Sequence, residues 1–204
     1  MLTPIKAVIF DVGGVLLHEV DRTPRTSAAQ KLGLTYDALN HAVFNHPLAD
    51  RATIGEVTTL EIWQAIGESF NFGPAETAAL EQEFFAGNQI DMEMVNLVRT
   101  LRETYKTAIL SNAWDDLRDV IFHKWQIADA FDEFIISAEV GCAKPDPRIY
   151  ALTLQTLGVK PDEAVFIDDL EPNILAAQQA GMYGIVYKNR EQVQQELSHL
   201  LNGS

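Results

Sequence analysis

Three carboxylates close two apolar runs in this chain: Asp11 ends Ala7-Val8-Ile9-Phe10, and Asp168-Asp169 end Val165-Phe166-Ile167. Carboxylates brought together repel unless a cation joins them, and oxygen ligands alone favour a hard ion such as Mg²⁺. Gly13 and Gly14 follow Asp11, so the backbone can turn sharply there and bring its amides and carbonyls close to a ligand. The plain reading of a strand-end acid is a helix N-cap. It fits Asp168 and Asp169 poorly, because Pro172 places the next helix start near Glu171. Two further segments supply complementary groups. Ala108-Ile109-Leu110-Ser111-Asn112 ends an apolar run on a hydroxyl, and Lys144 stands just before a helix signalled by Asp146 and Pro147. Taken singly, Ser111 or Asn112 reads equally well as an N-cap, and Lys144 as a solvated surface residue. Their order groups them into one site: acid, hydroxyl, lysine and acid pair at successive element boundaries.

These residues need a scaffold that brings distant strand ends together. Five apolar runs read as buried strands: Ile5 to Phe10, Thr107 to Leu110, Phe134 to Ile136, Ala164 to Ile167 and Tyr183 to Tyr187. Helical spacing recurs between the later ones, in Val95, Val98, Leu101 and Tyr105, in Trp114, Leu117, Ile121 and Trp125, and in Val193, Leu197, Leu200 and Leu201. Strands alternating with helices predict an α/β fold with a parallel sheet and right-handed crossovers. Residues 18–90 break the alternation and read as helices only. Val57, Leu60, Trp63, Ile66 and Phe70 form one stripe, Gly73-Pro74 interrupts it, and Ala78 to Phe85 begins another. A helical block of roughly 70 residues far exceeds the usual connection of about 2–6. It is expected as a separate cap, 18–90, on a core made of 1–17 and 91–204. Ligands in open α/β sheets bind beyond the carboxyl ends of the strands, so a cap inserted after Asp11 would cover the site.

At 204 residues and 47% hydrophobic, the chain can bury a substantial core. A formal charge of −14 argues against nucleic acid and acidic membrane surfaces, which require clustered Lys and Arg. No cationic segment precedes a long apolar stretch at the N-terminus, which points away from export. Cys142 is the only cysteine, so neither an internal disulfide nor a thiolate metal cluster can form, in keeping with a cytoplasmic protein. Nothing in the sequence bears on oligomeric state.

The segments Phe10-Asp11-Val12-Gly13-Gly14-Val15-Leu16, Leu110-Ser111-Asn112, Lys144-Pro145-Asp146-Pro147 and Phe166-Ile167-Asp168-Asp169 closely resemble the four motifs of the haloacid dehalogenase superfamily, in order and over nearly the whole chain. The resemblance implies a Rossmann-like, doubly wound parallel sheet core with an inserted helical cap. It also implies Mg²⁺-dependent hydrolysis of a small-molecule phosphate ester, and the details look most like a branch of small capped sugar-phosphate phosphatases. By that resemblance Asp11 is the nucleophile, whose aspartyl-phosphate splits one difficult hydrolysis into two displacements. The metal would be held by Asp11, the Gly13 carbonyl and Asp169, with Asp168 close by or bridging through water. Ser111 and Lys144 would hold phosphoryl oxygens, together with backbone amides near Val12 and Asn112. Three acids alone would repel a phosphate dianion; the lysine and a divalent cation offset them.

Most phosphatases of that superfamily carry a second Asp where this chain has Gly13, and use it to protonate the leaving group and activate water. General acid–base help of typically about 10²–10⁴-fold is at stake. The leaving group could be stable enough to depart unprotonated, as from a sugar 1-phosphate or an acyl phosphate. Alternatively a hinge residue supplies the proton, His18 first and Glu19 or Asp21 behind it. In the third reading turnover is weak and the protein mainly binds a phosphorylated metabolite. The leading expectation is a Mg²⁺-dependent phosphomonoesterase. A 2-haloacid dehalogenase would use the same Asp without metal, but gains nothing from concentrating Asp168 and Asp169. Trp63, Trp114 and Trp125 are expected in the core. His41, His46 and His123 share no metal-ligand spacing, Arg51 reads as exposed before it reads as a substrate contact, and Cys142 has only its proximity to Lys144 to suggest activation.

Overall fold

The computed structural model describes residues 4–202. In chain order its elements are β1 (Ala7–Phe10), β2 (Leu17–Glu19), α1 (Thr23–Lys31), α2 (Tyr36–Phe44), α3 (Ala49–Thr53), α4 (Thr59–Ser69), α5 (Pro74–Phe85), β3 (Asn88–Ile90), α6 (Met92–Arg102), β4 (Lys106–Ser111), α7 (Leu117–Asp119), β5 (Glu133–Ile136), α8 (Ser137–Val140), α9 (Pro147–Leu157), β6 (Ala164–Asp168), α10 (Glu171–Gln179), β7 (Tyr183–Val186) and α11 (Arg190–Asn202). The five expected runs are the strands of one parallel sheet, ordered β5-β4-β1-β6-β7.

Both sheet faces are covered, which is why the strands read as unbroken apolar runs. Alternation along β1 sends Val8 and Phe10 into a cluster with Met94, Val95 and Val98 of α6 and Val193 and Leu197 of α11. Ala7 and Ile9 point the other way, into a cluster with Ile149, Tyr150 and Leu154 of α9 and Ile174 and Ala177 of α10. Burying each large apolar side chain stabilises the fold by about 1.5–3 kcal/mol. β1 lies between β4 and β6, with Phe10 opposite Ile109 on one side and Ile167 on the other. Ser111, Asp11 and Asp168 therefore emerge side by side at one sheet end.

The expectation of helices alone over 18–90 is corrected at both ends of the block. Leu17–Glu19 and Asn88–Ile90 pair antiparallel as a two-stranded ribbon, His18 opposite Gln89. Strands of three residues, none of them buried, are too short to show alternation in the sequence. Between them, α1 to α5 pack around their own cluster, including Leu39, Val43, Ile62, Trp63, Ile66, Leu80 and Phe84. The expected helical stripe from Trp114 to Trp125 is also shortened. α7 is followed by a π turn at Val120–Lys124, and Trp114 stays in the preceding loop, edge-on to Trp63. Among the described residues no helix is long and apolar enough to cross a membrane.

Candidate active site

The turn after β1 is tight: the Leu16 and Leu17 amides donate to the Val12 carbonyl at 2.9 and 2.8 Å, and the Gly14 amide to Leu17. The two glycines in it are under different constraints. Gly14 has φ +73°, and a Cβ there would stand 2.4 Å from an oxygen of Asp169. At Gly13 a Cβ would meet nothing within 4 Å. Only Gly14 is demanded by conformation and by the close approach of a carboxylate.

Asp11, Asp168 and Asp169 each offer an oxygen such that the three lie within 4.8 Å of one another. Lys144, buried where a lone lysine would be solvated, sits between two of them, its Nζ 2.9 Å from Asp11 Oδ1 and 2.6 Å from Asp168 Oδ2. Asp11 Oδ1 also accepts the Val12 amide at 2.7 Å. Asp168 is fully buried and fully engaged. Its Oδ1 accepts from the Leu170 amide, its Oδ2 from Lys144, and both from Asn173 Nδ2. Asp169 is exposed. Burial, opposed by Lys144 and reinforced by Asp168, pushes the Asp11 carboxyl up to about 6. Burial first, then the neighbouring Asp168, also raises that of Asp169. Two converging carboxylates resisting ionisation form an all-oxygen donor set short of positive charge, which suits a hard divalent cation.

Ser111 ends β4 almost wholly buried, and no helix begins there, which removes its N-cap reading. Asn112 spends its side chain on Lys144: Nδ2 donates to the Lys144 carbonyl at 2.8 Å and Oδ1 accepts the Lys144 amide at 2.7 Å. Its backbone amide is what remains for a ligand. His18 lies on β2, Nε2 3.1 Å from the Val15 carbonyl, its ring stacked on Tyr187 with centroids 5.7 Å apart. A proton on Nε2 is thus committed to the main chain, and Nδ1 alone is left for transfer. Glu19 is held by Tyr36, Arg22 and Arg25, and Asp21 accepts the Thr23 amide at the start of α1. Arg51 pairs with Glu56 at 3.1 Å, exposed. Burial pushes the Cys142 thiol up, away from reactivity.

Two residues of the network carry no weight in the sequence reading. Asn173, in the first turn of α10, aligns Asp168, and Tyr150 on α9 donates to the Asn173 carbonyl at 2.9 Å. The available signal is an amide five residues after an acid, on the first turn of a helix that follows a strand.

A family model described as haloacid dehalogenase-like hydrolase matches residues 5–181. The chain is 30% identical to bifunctional epoxide hydrolase 2 of Sus scrofa over 95% of its own length and 38% of that protein's, so it spans well under half of that relative. It is 27% identical to the D-ribitol-5-phosphate phosphatase of Bacteroides thetaiotaomicron, over 97% of this chain and 99% of that one. Among solved structures, a HAD family enzyme of Bacteroides thetaiotaomicron in complex with magnesium and inorganic phosphate superposes with a TM-score of 0.76 at 25% identity, covering 90% of this chain and 94% of that one.

Proposed function

The chain belongs to the haloacid dehalogenase-like hydrolase family, and from that premise we propose that it is a Mg²⁺-dependent phosphatase of a small phosphorylated metabolite, working through Asp11. The observation that carries this reading is the imbalance at the sheet end: one lysine faces three converging carboxylates. Asp11, the Gly13 carbonyl and Asp169 would hold the metal, with Asp168 behind them engaged by Lys144 and Asn173. When bound, the ion offsets the negative charge of the acids and of the phosphoryl oxygens.

Val12 and Lys144 both hold Oδ1 of Asp11, which anchors the carboxylate by one oxygen and leaves Oδ2 for attack on phosphorus. The bond from Asp11 to phosphorus forms as the bond to the leaving oxygen breaks. Water then displaces Asp11 and releases phosphate. Lys144, Ser111 and the Asn112 amide hold phosphoryl oxygens throughout. The helical block at 18–90 acts as the cap, carried on the β2–β3 ribbon.

The open space at Gly13, together with the commitment of His18 Nε2 to Val15, supports a leaving group that departs without a proton from the protein, such as a sugar 1-phosphate or acyl phosphate. An alkyl phosphate of the kind named for the Bacteroides thetaiotaomicron relative needs a proton from elsewhere, with His18 Nδ1 first in line. A Mg²⁺-containing screen of sugar 1-phosphates, polyol and sugar terminal phosphates, acyl phosphates and nucleotides separates the two, repeated with Asp11→Asn and His18→Ala. Leading anomeric or acyl phosphates, indifferent to His18→Ala, sustain the first reading. Alkyl phosphates abolished by His18→Ala sustain the second. Hydrolysis that persists in chelator or in Asp11→Asn overturns the phosphatase mechanism itself.

A further inference from the structure

Residues 55–63 of the helical block lie against the sheet end. α4 starts there, and the first amides of a helix have no partner within it and carry partial positive charge. The Thr59 amide and hydroxyl both donate to Asp115 Oδ1, at 2.8 and 2.6 Å, and the hydroxyl lies 3.0 Å from Asp116 Oδ1. One turn along the same face, Trp63 packs edge-on against Trp114, centroids 6.2 Å apart. On the near side of the segment, Gly55 has φ +74°, and a Cβ there would stand 2.0 Å from the Ala138 carbonyl oxygen.

Trp114, Asp115 and Asp116 sit on the loop that begins at Ser111 and Asn112. That loop therefore offers phosphate-binding groups at its start and, at its end, a carboxylate acceptor for the Thr59 amide in the first turn of α4. Resting on the phosphatase reading, we propose that Asp115 is a positioning residue, a latch whose carboxylate takes the Thr59 amide and hydroxyl beside the Thr58–Glu61 capping box of α4 and ties docking of the helical block to the phosphate loop. Gly55 is its counterpart, the gap that allows the block to approach Ala138. The contact is exposed, so its effect is graded: loss of a side-chain acceptor at a helix start shifts an equilibrium by about fivefold.

The test uses the full chain with Mg²⁺ and beryllofluoride, and compares Asp115→Ala, Asp115→Asn and Gly55→Ala. Acrylamide quenching of tryptophan emission reads docking without requiring turnover. Asp115→Ala removes the latch and Gly55→Ala inserts a wedge, so both should raise quenching, whereas Asp115→Asn keeps an acceptor oxygen and stays near the parent. With the best phosphate of the screen, Asp115→Ala should raise KM about fivefold while kcat moves less than twofold, and Asp115→Asn should recover most of the loss. Unchanged quenching and KM in a folded Asp115→Ala protein overturn the latch. So does a loss that Asp115→Asn fails to recover. A parent protein that hydrolyses nothing in the screen defeats the phosphatase reading alone, because the quenching comparison still judges docking.

Discussion

Two buried cationic centres lie among the described residues, one at the sheet end and one in the helical block, and they are built on opposite principles. Lys144 serves two carboxylates directly and has a third within reach. Arg25, equally buried, has one carboxylate beside it, Glu19 with its Oε1 3.3 Å from Nε, and gives its hydrogen bonds to neutral acceptors: Nε to the Phe84 carbonyl, Nη1 to Asn40 and Tyr36, and Nη2 to Asn88. Its guanidinium also lies over the Phe84 ring, 4.0 Å from the centroid. The Arg25 centre joins α1 to both strands of the ribbon and to α2 and α5, and its charges are matched. Removing a buried ion from water is costly, so a matched centre holds the fold, whereas a surplus of one sign is tolerated only where a ligand completes it.

Breaking each centre should therefore do opposite things. Asp11→Asn should lower kcat by about 10⁴-fold or more without lowering the melting temperature, since it removes an uncompensated acid along with the nucleophile. Steady-state kinetics beside calorimetry check both halves. Arg25→Met should cost about 3–5 kcal/mol in urea unfolding, by leaving mostly buried Glu19 with only Tyr36 and the exposed Arg22 and by unpairing Asn40, Asn88 and the Phe84 carbonyl. An unchanged unfolding midpoint would erase the contrast.

The surplus of acid also predicts a pH dependence. Burial raises the Asp11 carboxyl from 3.8 to about 6, so in metal-free protein its stabilising contribution is fully present below about pH 3.8 and is lost as pH rises through about 6. That loss amounts to about 2–3 kcal/mol. Mg²⁺ should accordingly raise the melting temperature more at pH 7.5 than at pH 5, as measured by thermal scans with and without chelator. The smallest effect sharpens the site internally. Gly14→Ala should weaken Mg²⁺ binding by about tenfold, because its Cβ displaces Asp169, whereas Gly13→Ala should change it less than about twofold. Titration calorimetry measures both.

The centre of the sheet was legible because β1, β4 and β6 are runs buried on both faces that reach Asp11, Ser111 and Asp168 at the same end. The Ala7–Phe10 and Ala164–Asp168 runs needed only local composition to be read, and they carry Asp11, Asp168 and Asp169 with them. The ribbon was not legible. His18 and Glu19 pair with Gln89 and Asn88 across the whole helical block, and no local periodicity encodes that pairing. Arg25 was equally silent, since a basic residue in a polar helix reads as solvated until Glu19, Asn40, Phe84 and Asn88 close around it. Trp114 fits a helical stripe by spacing, but its packing against Trp63 holds it in the loop ahead of α7.

The sequence by itself determined which residues could do chemistry and at which element ends they stand, because strand formation and turn chemistry depend on near neighbours. Only the tertiary structure decided how those residues divide the work. The order β4-β1-β6 puts Asp11 between Ser111 and Asp168, and Lys144 and Asn173 then occupy the oxygens of Asp168 while Asp169 is left exposed over Gly14. Two adjacent acids and two adjacent glycines, alike in sequence, became unlike through their partners. Hydrogen-bond allocation and steric room are properties of groups far apart along the chain, and folding is what brings them together.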